Sequence, residues 1–154
     1  MAKVIASKEL TVPFRIAIIV SRFNEEIVQR LLDGALERLA ELNIPDDLIT
    51  VIWVPGAVEI PIVAQRLART ENYEVIIALG CVIRGETNHY EYVCEQVSSG
   101  CQRVALSNNV PVVFAVLTTE NDQQAMDRAG GSHGNKGRDA VDAAFEILAV
   151  LRQI

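Results

Sequence analysis

Short runs of consecutive apolar, β-branched residues alternate with longer stretches whose apolar positions recur every three or four residues. The first run, Phe14-Arg15-Ile16-Ala17-Ile18-Ile19-Val20, predicts a buried strand. Apolar residues then fall at Val28, Leu31, Leu32, Ala35, Leu36, Leu39 and Leu42, one stripe of a helix. Asn24 is a candidate cap for that helix, and Glu25 and Glu26 lie in its first turn, where the helix dipole favours acids. Gly34 inside the stripe costs about 1 kcal/mol in propensity and marks a place of close packing. A strand over 49–54 closes at Pro55-Gly56, and a helix follows over about 58–69, with Pro61 in its first turn. The same reading predicts a strand over 74–82, a helix over about 89–107, a strand over 112–117, a short helix over about 122–129 and a last helix over about 138–152. Residues 1–13 read as an extended arm.

Strand and helix thus alternate four times. Continuous apolar strands joined through helices imply a parallel sheet covered on both faces, with right-handed crossovers. The expected fold is α/β: a three-layer α/β/α sandwich of flavodoxin-like kind, with a four-stranded parallel sheet and an N-terminal extended segment. At 154 residues a single domain over 1–154 is expected. Half the residues are hydrophobic and 22% are charged, which excludes a disordered chain; aromatics at 5% make the core aliphatic. The mean hydropathy of +0.22 is high for a chain this short and points to buried subunit contacts.

Fourteen basic against 20 acidic residues give a net charge of −6. With no Lys/Arg cluster, a dedicated nucleic-acid surface is excluded, while a local basic pocket is not. No apolar run reaches the roughly 18 residues of a membrane helix, and residues 1–8 lack the apolar segment of a secretory signal. Cys81, Cys94 and Cys101 are odd in number and have no ligand spacing, so neither a disulfide framework nor a metal site is expected; reduced thiols fit a cytoplasmic protein.

Ligands of open parallel sheets bind beyond the carboxyl ends of the strands. The loops to read are therefore Ser21-Arg22-Phe23-Asn24, Pro55-Gly56-Ala57-Val58-Glu59, Arg84-Gly85-Glu86-Thr87-Asn88-His89 and Thr118-Thr119-Glu120-Asn121. Each adjoins a helix start, whose free N–H groups suit a phosphate. Gly85 admits close backbone approach, and Thr87 and Asn88 are hydrogen-bonding or capping residues. His89 is either a proton carrier near neutral pH or a surface histidine. Phe23 is either core or a ligand platform, and Glu59 either binds substrate or favours the helix dipole. Arg128 and Lys136, flanking a flexible glycine-rich segment, are either a phosphate clamp or solvated charge. That segment follows a helix rather than a strand, so it is not a Walker loop.

In series these loops resemble the lumazine synthase family. The matching segments are Ser21-Arg22-Phe23-Asn24, Pro55-Gly56-Ala57-Val58-Glu59-Ile60-Pro61, Gly80-Cys81-Val82-Ile83-Arg84-Gly85-Glu86-Thr87-Asn88-His89-Tyr90, Leu117-Thr118-Thr119-Glu120-Asn121, and Arg128-Ala129-Gly130 with Gly134-Asn135-Lys136-Gly137. They keep family order and spacing over about residues 14–151. The resemblance implies condensation of 5-amino-6-(D-ribitylamino)uracil with 3,4-dihydroxy-2-butanone 4-phosphate to 6,7-dimethyl-8-ribityllumazine, a step of riboflavin biosynthesis, without metal or organic cofactor. It implies His89 as the proton shuttle, with Phe23 stacked on the pyrimidine. Ala57, Val58, Glu59, Val82 and Ile83 would line the ribitylaminouracil site. Gly85, Glu86, Thr87 and Arg128 would hold the phosphate. Phe114, Arg128 and Lys136 would come from a neighbouring subunit.

The chain departs from the family where Val58 replaces a frequent aromatic and where Gly131-Ser132-His133 lacks a frequent Lys. Glu86 and Asn88 stand where many relatives carry smaller or hydroxyl residues. The resemblance further implies a homo-oligomer built of pentamers and association with riboflavin synthase; the short turn before Gly134 favours a hollow shell of twelve pentamers over the alternatives, an isolated pentamer or a decamer. The extended arm would add to a neighbour's sheet edge. Neither nucleic acid nor membrane is an expected partner. The competing reading is a non-catalytic flavin- or lumazine-binding protein, or an encapsulating shell, on the same scaffold.

Overall fold

A computed structural model describes residues 1–9 and 14–154. Four strands, β1 (Ile16–Ser21), β2 (Ile49–Val54), β3 (Val75–Ile83) and β4 (Val112–Thr119), form one sheet in the order β2-β1-β3-β4, with all three pairings parallel. The helices are α1 (Glu25–Glu41), α2 (Ile60–Arg69), α3 (His89–Asn108), α4 (Asp122–Asp127) and α5 (Lys136–Leu151).

The alternation of side chains along each strand sorts the core into two layers. Ile16, Ile18 and Val20 of β1 and Val75, Ile77 and Leu79 of β3 face α1 and α5, whose Leu31, Ala35, Val141 and Ala144 are buried against them. Ala17 and Ile19 of β1 and Ile76 and Ala78 of β3 face α2 and α3, through Ile60, Ala64, Val97 and Cys101. Each large aliphatic side chain so enclosed contributes about 1.5–3 kcal/mol. This is the expected α/β/α sandwich of flavodoxin-like kind.

Two glycines set how closely α1 and α5 approach. A Cβ on Gly137 would lie 1.9 Å from the Leu31 carbonyl oxygen, and one on Gly34 would lie 2.5 Å from the Asn135 side chain. The close packing expected at Gly34 is therefore present.

Other expectations change in detail. The second helix is preceded by a 3-10 turn, Ala57–Glu59, and starts only at Ile60. The glycine-rich segment, read as flexible, folds as a two-stranded hairpin of β5 (Ala129–Gly131) and β6 (Gly134–Asn135), which ends α4 at Asp127. Strands of three and two residues carry no readable period. The expected arm over 1–13 lies partly outside the described residues, at 10–13; residues 1–9 form neither helix nor strand. No helix among the described residues is long and apolar enough to cross a membrane.

Candidate active site

The strand order changes direction between β1 and β3: the chain leaves β1 for β2 on one side, then returns to place β3 on the other. Loops beyond such a point diverge and leave a crevice. A cleft of about 600 Å³ lies there, lined by the β1–α1 loop at Phe23 and Asn24 and by 55–59 after β2. The end of β3 contributes Cys81, Val82 and Ile83. The start of α3 adds Gly85, Thr87, His89, Tyr90 and Val93, and Asp122 completes the lining.

The first two loops are locked to one another because the β1–β2 ladder runs on into them. Arg22 N–H donates to Val54 O at 2.8 Å and Phe23 N–H to Pro55 O at 3.1 Å. The Phe23 ring is thereby held outward, 72% exposed. A phenyl so placed on a cleft rim is not core.

Asn24 takes the expected N-cap position of α1, its carbonyl accepting the Ile27 and Val28 N–H groups at 3.1 Å. Its backbone is left-handed (φ 61°), and its side chain makes no capping bond to α1. Its Nδ2 donates instead to the Cys81 carbonyl at 2.9 Å, tying the loop to β3. Asn is among the few residues that tolerate this backbone region. Asn88 likewise caps α3 without a side-chain bond, while Thr87 Oγ1 accepts the His89 N–H at 3.4 Å.

Across the cleft Ala57 is buried and Val58 is 38% exposed. Glu59 is half-buried, and its Oε2 is enclosed without a hydrogen-bond partner. That oxygen leans over Gly56, where a Cβ would approach it to 3.2 Å. A buried carboxyl oxygen left unpaired is costly, and this one has acceptor capacity at the cleft wall. The space around Gly85 is open, leaving its backbone accessible. His89 begins α3 with its ring exposed on the cleft.

Of the residues singled out from sequence, Phe23, Ala57, Val58, Glu59, Val82, Ile83, Gly85, Thr87 and His89 share this cleft. Glu86 is exposed and outside the lining. Phe114, Arg128 and Lys136 meet elsewhere, in a recess of about 350 Å³ beside β4 that also includes Thr118, Thr119 and Asp139. The β5–β6 hairpin builds that recess: Lys136 N–H donates to Arg128 O at 2.9 Å, bringing the two cations to one spot. Asn135 anchors the hairpin, donating through Nδ2 to Arg30 O at 3.0 Å and accepting the Arg138 N–H through Oδ1 at 3.0 Å. Arg128 donates to the Gln124 carbonyl at 2.9 Å, and Lys136 lies 3.8 Å from Asp139.

Charge is therefore segregated. The cleft lining contains the carboxylates Glu59 and Asp122 and no Lys or Arg, whereas the recess contains Arg128 and Lys136 against the single carboxylate of Asp139. Asp122 and Tyr90 were not singled out from sequence as ligand contacts; the signal for Asp122 was its position at the end of the strand-terminal loop 118–121. No group of three His, Cys, Asp or Glu among the described residues could hold a metal.

A family model described as 6,7-dimethyl-8-ribityllumazine synthase matches residues 13–152. A protein of that name from Coxiella burnetii (strain Dugway 5J108-111) is 53% identical over 141 residues, covering 92% of this chain and 93% of its own. Proteins of the same name from strains CbuG_Q212 and RSA 493 / Nine Mile phase I are 52% identical with the same coverage. With a match spanning nearly all of its length, the chain belongs to the 6,7-dimethyl-8-ribityllumazine synthase family.

Proposed function

We propose that this protein is an enzyme that condenses 5-amino-6-(D-ribitylamino)uracil with 3,4-dihydroxy-2-butanone 4-phosphate to 6,7-dimethyl-8-ribityllumazine, releasing phosphate and water. The observation that carries the detailed reading is the charge segregation. A phosphate substrate has no cation in the 600 Å³ cleft, while Arg128 and Lys136 occupy a recess of their own. A head-to-tail contact between copies, recess over cleft, supplies each with what it lacks. Such a heterologous contact closes into a ring when its rotation permits.

Within the composite site Phe23 stacks on the pyrimidine, and Glu59 Oε2 accepts from the ribityl chain beside Ala57 and Val58. Val82 and Ile83 form the floor, and Phe114 and Lys136 of the neighbouring copy close the pyrimidine side. Gly85 and Thr87 present backbone and hydroxyl to the phosphate, with the neighbour's Arg128 as its cation; Glu86 borders the loop. Amine addition to a ketone, dehydration, phosphate elimination and ring closure move protons and no net electrons, which suits an imidazole. Holding two substrates together contributes about 7–11 kcal/mol to such a condensation. The assembly is a pentamer, extended to a sixty-chain shell, which operates in the cytoplasm and associates with riboflavin synthase.

The test is fluorescence of the lumazine formed from both substrates, with subunit complementation. His89→Ala and Arg128→Ala each lose most activity alone. Dissociated and reassembled together they regain part of it, because a minority of interfaces then pair an intact His89 with an intact Arg128. Absence of product from the wild-type protein rejects the reaction, and failure to complement rejects the shared site.

A further inference from the structure

Arg84 is the residue at which β3 hands over to the loop carrying His89. Its backbone N–H donates to Thr119 O at 2.9 Å, the last rung toward β4. Its side chain then makes three contacts. Nε donates to Glu120 Oε2 at 2.7 Å and Nη1 to Glu91 Oε1 at 2.6 Å, while the guanidinium lies 4.4 Å over the Tyr90 ring. Glu120 follows β4, and Tyr90 and Glu91 belong to the first turn of α3. One guanidinium thus joins both ends of the segment 85–89 to each other and to the end of β4.

Bonds inside that segment are local: the 3.4 Å contact of His89 N–H with Thr87 Oγ1, and Glu91 N–H with Asn88 O at 3.1 Å. Gly85 has open space around it. Tyr90 and Val93 pack the start of α3 against the sheet's second core layer, and the Arg84 side chain is the polar link that spans the loop and ties that turn to the end of β4. Arg84 does not line the cleft.

We infer that Arg84 is a positioning residue for the proposed condensation: its clamp on Glu91, Tyr90 and Glu120 holds the His89 imidazole over the cleft. The inference rests on the reading of that cleft as the condensing site. Exposed ion pairs contribute little to global stability, and the Arg84 side chain is 36% exposed. The clamp therefore acts on geometry, and its loss appears in turnover rather than in melting. A planar fork can serve two carboxylates and a ring at once; an ammonium can hold only part of that set.

The experiment compares Arg84→Gln, Arg84→Lys and the double variant Glu91→Gln/Glu120→Gln, each as the assembled protein. A sub-ångström to 1 Å displacement of a reacting group lowers kcat by about ten- to a hundredfold. Arg84→Gln and the double variant are expected to show that loss, with both KM values within about twofold because no substrate contact is removed. Arg84→Lys is expected to recover part of kcat, and melting temperatures are expected to stay near wild type. Amide hydrogen exchange is expected to accelerate at 85–91 and not elsewhere. Wild-type kcat in the double variant, or unchanged exchange at 85–91, overturns the inference. So does a kcat loss matched by a general loss of stability. If Arg84→Gln fails to fold, the double variant decides. If the wild-type protein makes no lumazine, the proposed function falls, and the exchange measurement still decides whether Arg84 holds the loop.

Discussion

Gly137→Ala is the sharpest perturbation of the link between packing and site. Its Cβ would meet the Leu31 carbonyl oxygen at 1.9 Å, the carbonyl carbon at 2.6 Å and Leu31 Cα at 3.0 Å. Ordinary contact begins at 3.4 Å, so α1 and α5 must part by the difference from 1.9 Å, about 1.5 Å. Both sides of the clash are backbone, and no rotamer change relieves it. Overpacking costs about 1–3 kcal/mol, and an obstacle of this kind lies at the upper end. Alanine returns about 1 kcal/mol of helix propensity, leaving about 2 kcal/mol of net destabilisation. At roughly 2–4 °C per kcal/mol for a chain of this size, melting falls by about 4–8 °C. The same displacement moves Asn135 and Lys136, so the KM for the phosphate substrate should rise. Differential scanning calorimetry and the lumazine assay read the two effects. Gly85→Ala, facing open space with an ordinary backbone, is the control and should change melting by no more than about 2 °C. A Gly137→Ala protein that melts at or above wild type would refute the reasoning.

Three further outcomes follow from single groups. Arg138, with Arg38, holds the Glu41 carboxyl down from 4.5 to about 2. The stability it adds is present above 4.5 and is lost as pH falls through about 2, so Glu41→Gln should flatten the acid limb of melting against pH in that window; parallel limbs would contradict it. Burial pushes the Cys81 thiol up to about 12 and Cys101 up to about 11. Neither should react with iodoacetamide at pH 8 until denaturant is added, and mass spectrometry of the native protein would expose the error if either labels at the rate of a free thiol. Asn24→Ala loses the bond to Cys81 O and puts alanine at φ 61°, a combined cost of about 2 kcal/mol. Asn24→Gly should recover the backbone part, as read by melting, and equal melting of the two variants would count against it.

Element type was legible wherever a period could develop. The six-residue β2 agreed with expectation over its full length, and α1 and α3 with theirs to within about two residues, because burial on a sheet or a helix face imposes spacing directly on the chain. Asn24 does occupy the N-cap position of α1, but its side chain makes no capping bond, because the same amide suits a helix N-terminus and a left-handed turn and the nearby Cys81 carbonyl takes it. The β5–β6 hairpin escaped because strands of three and two residues repeat nothing.

The one-dimensional pattern was therefore enough to determine an aliphatic α/β/α sandwich, the loops at its strand ends, and the motifs that mark the family. Strand order decided the rest. Placing β1 between β2 and β3 opened the cleft at that crossing and exposed Phe23 beside His89. Folding the hairpin against α1 brought Arg128 to Lys136 in a different recess. Contacts between segments this far apart depend on which strands pair and how closely helices approach, and local spacing along a chain holds no record of either.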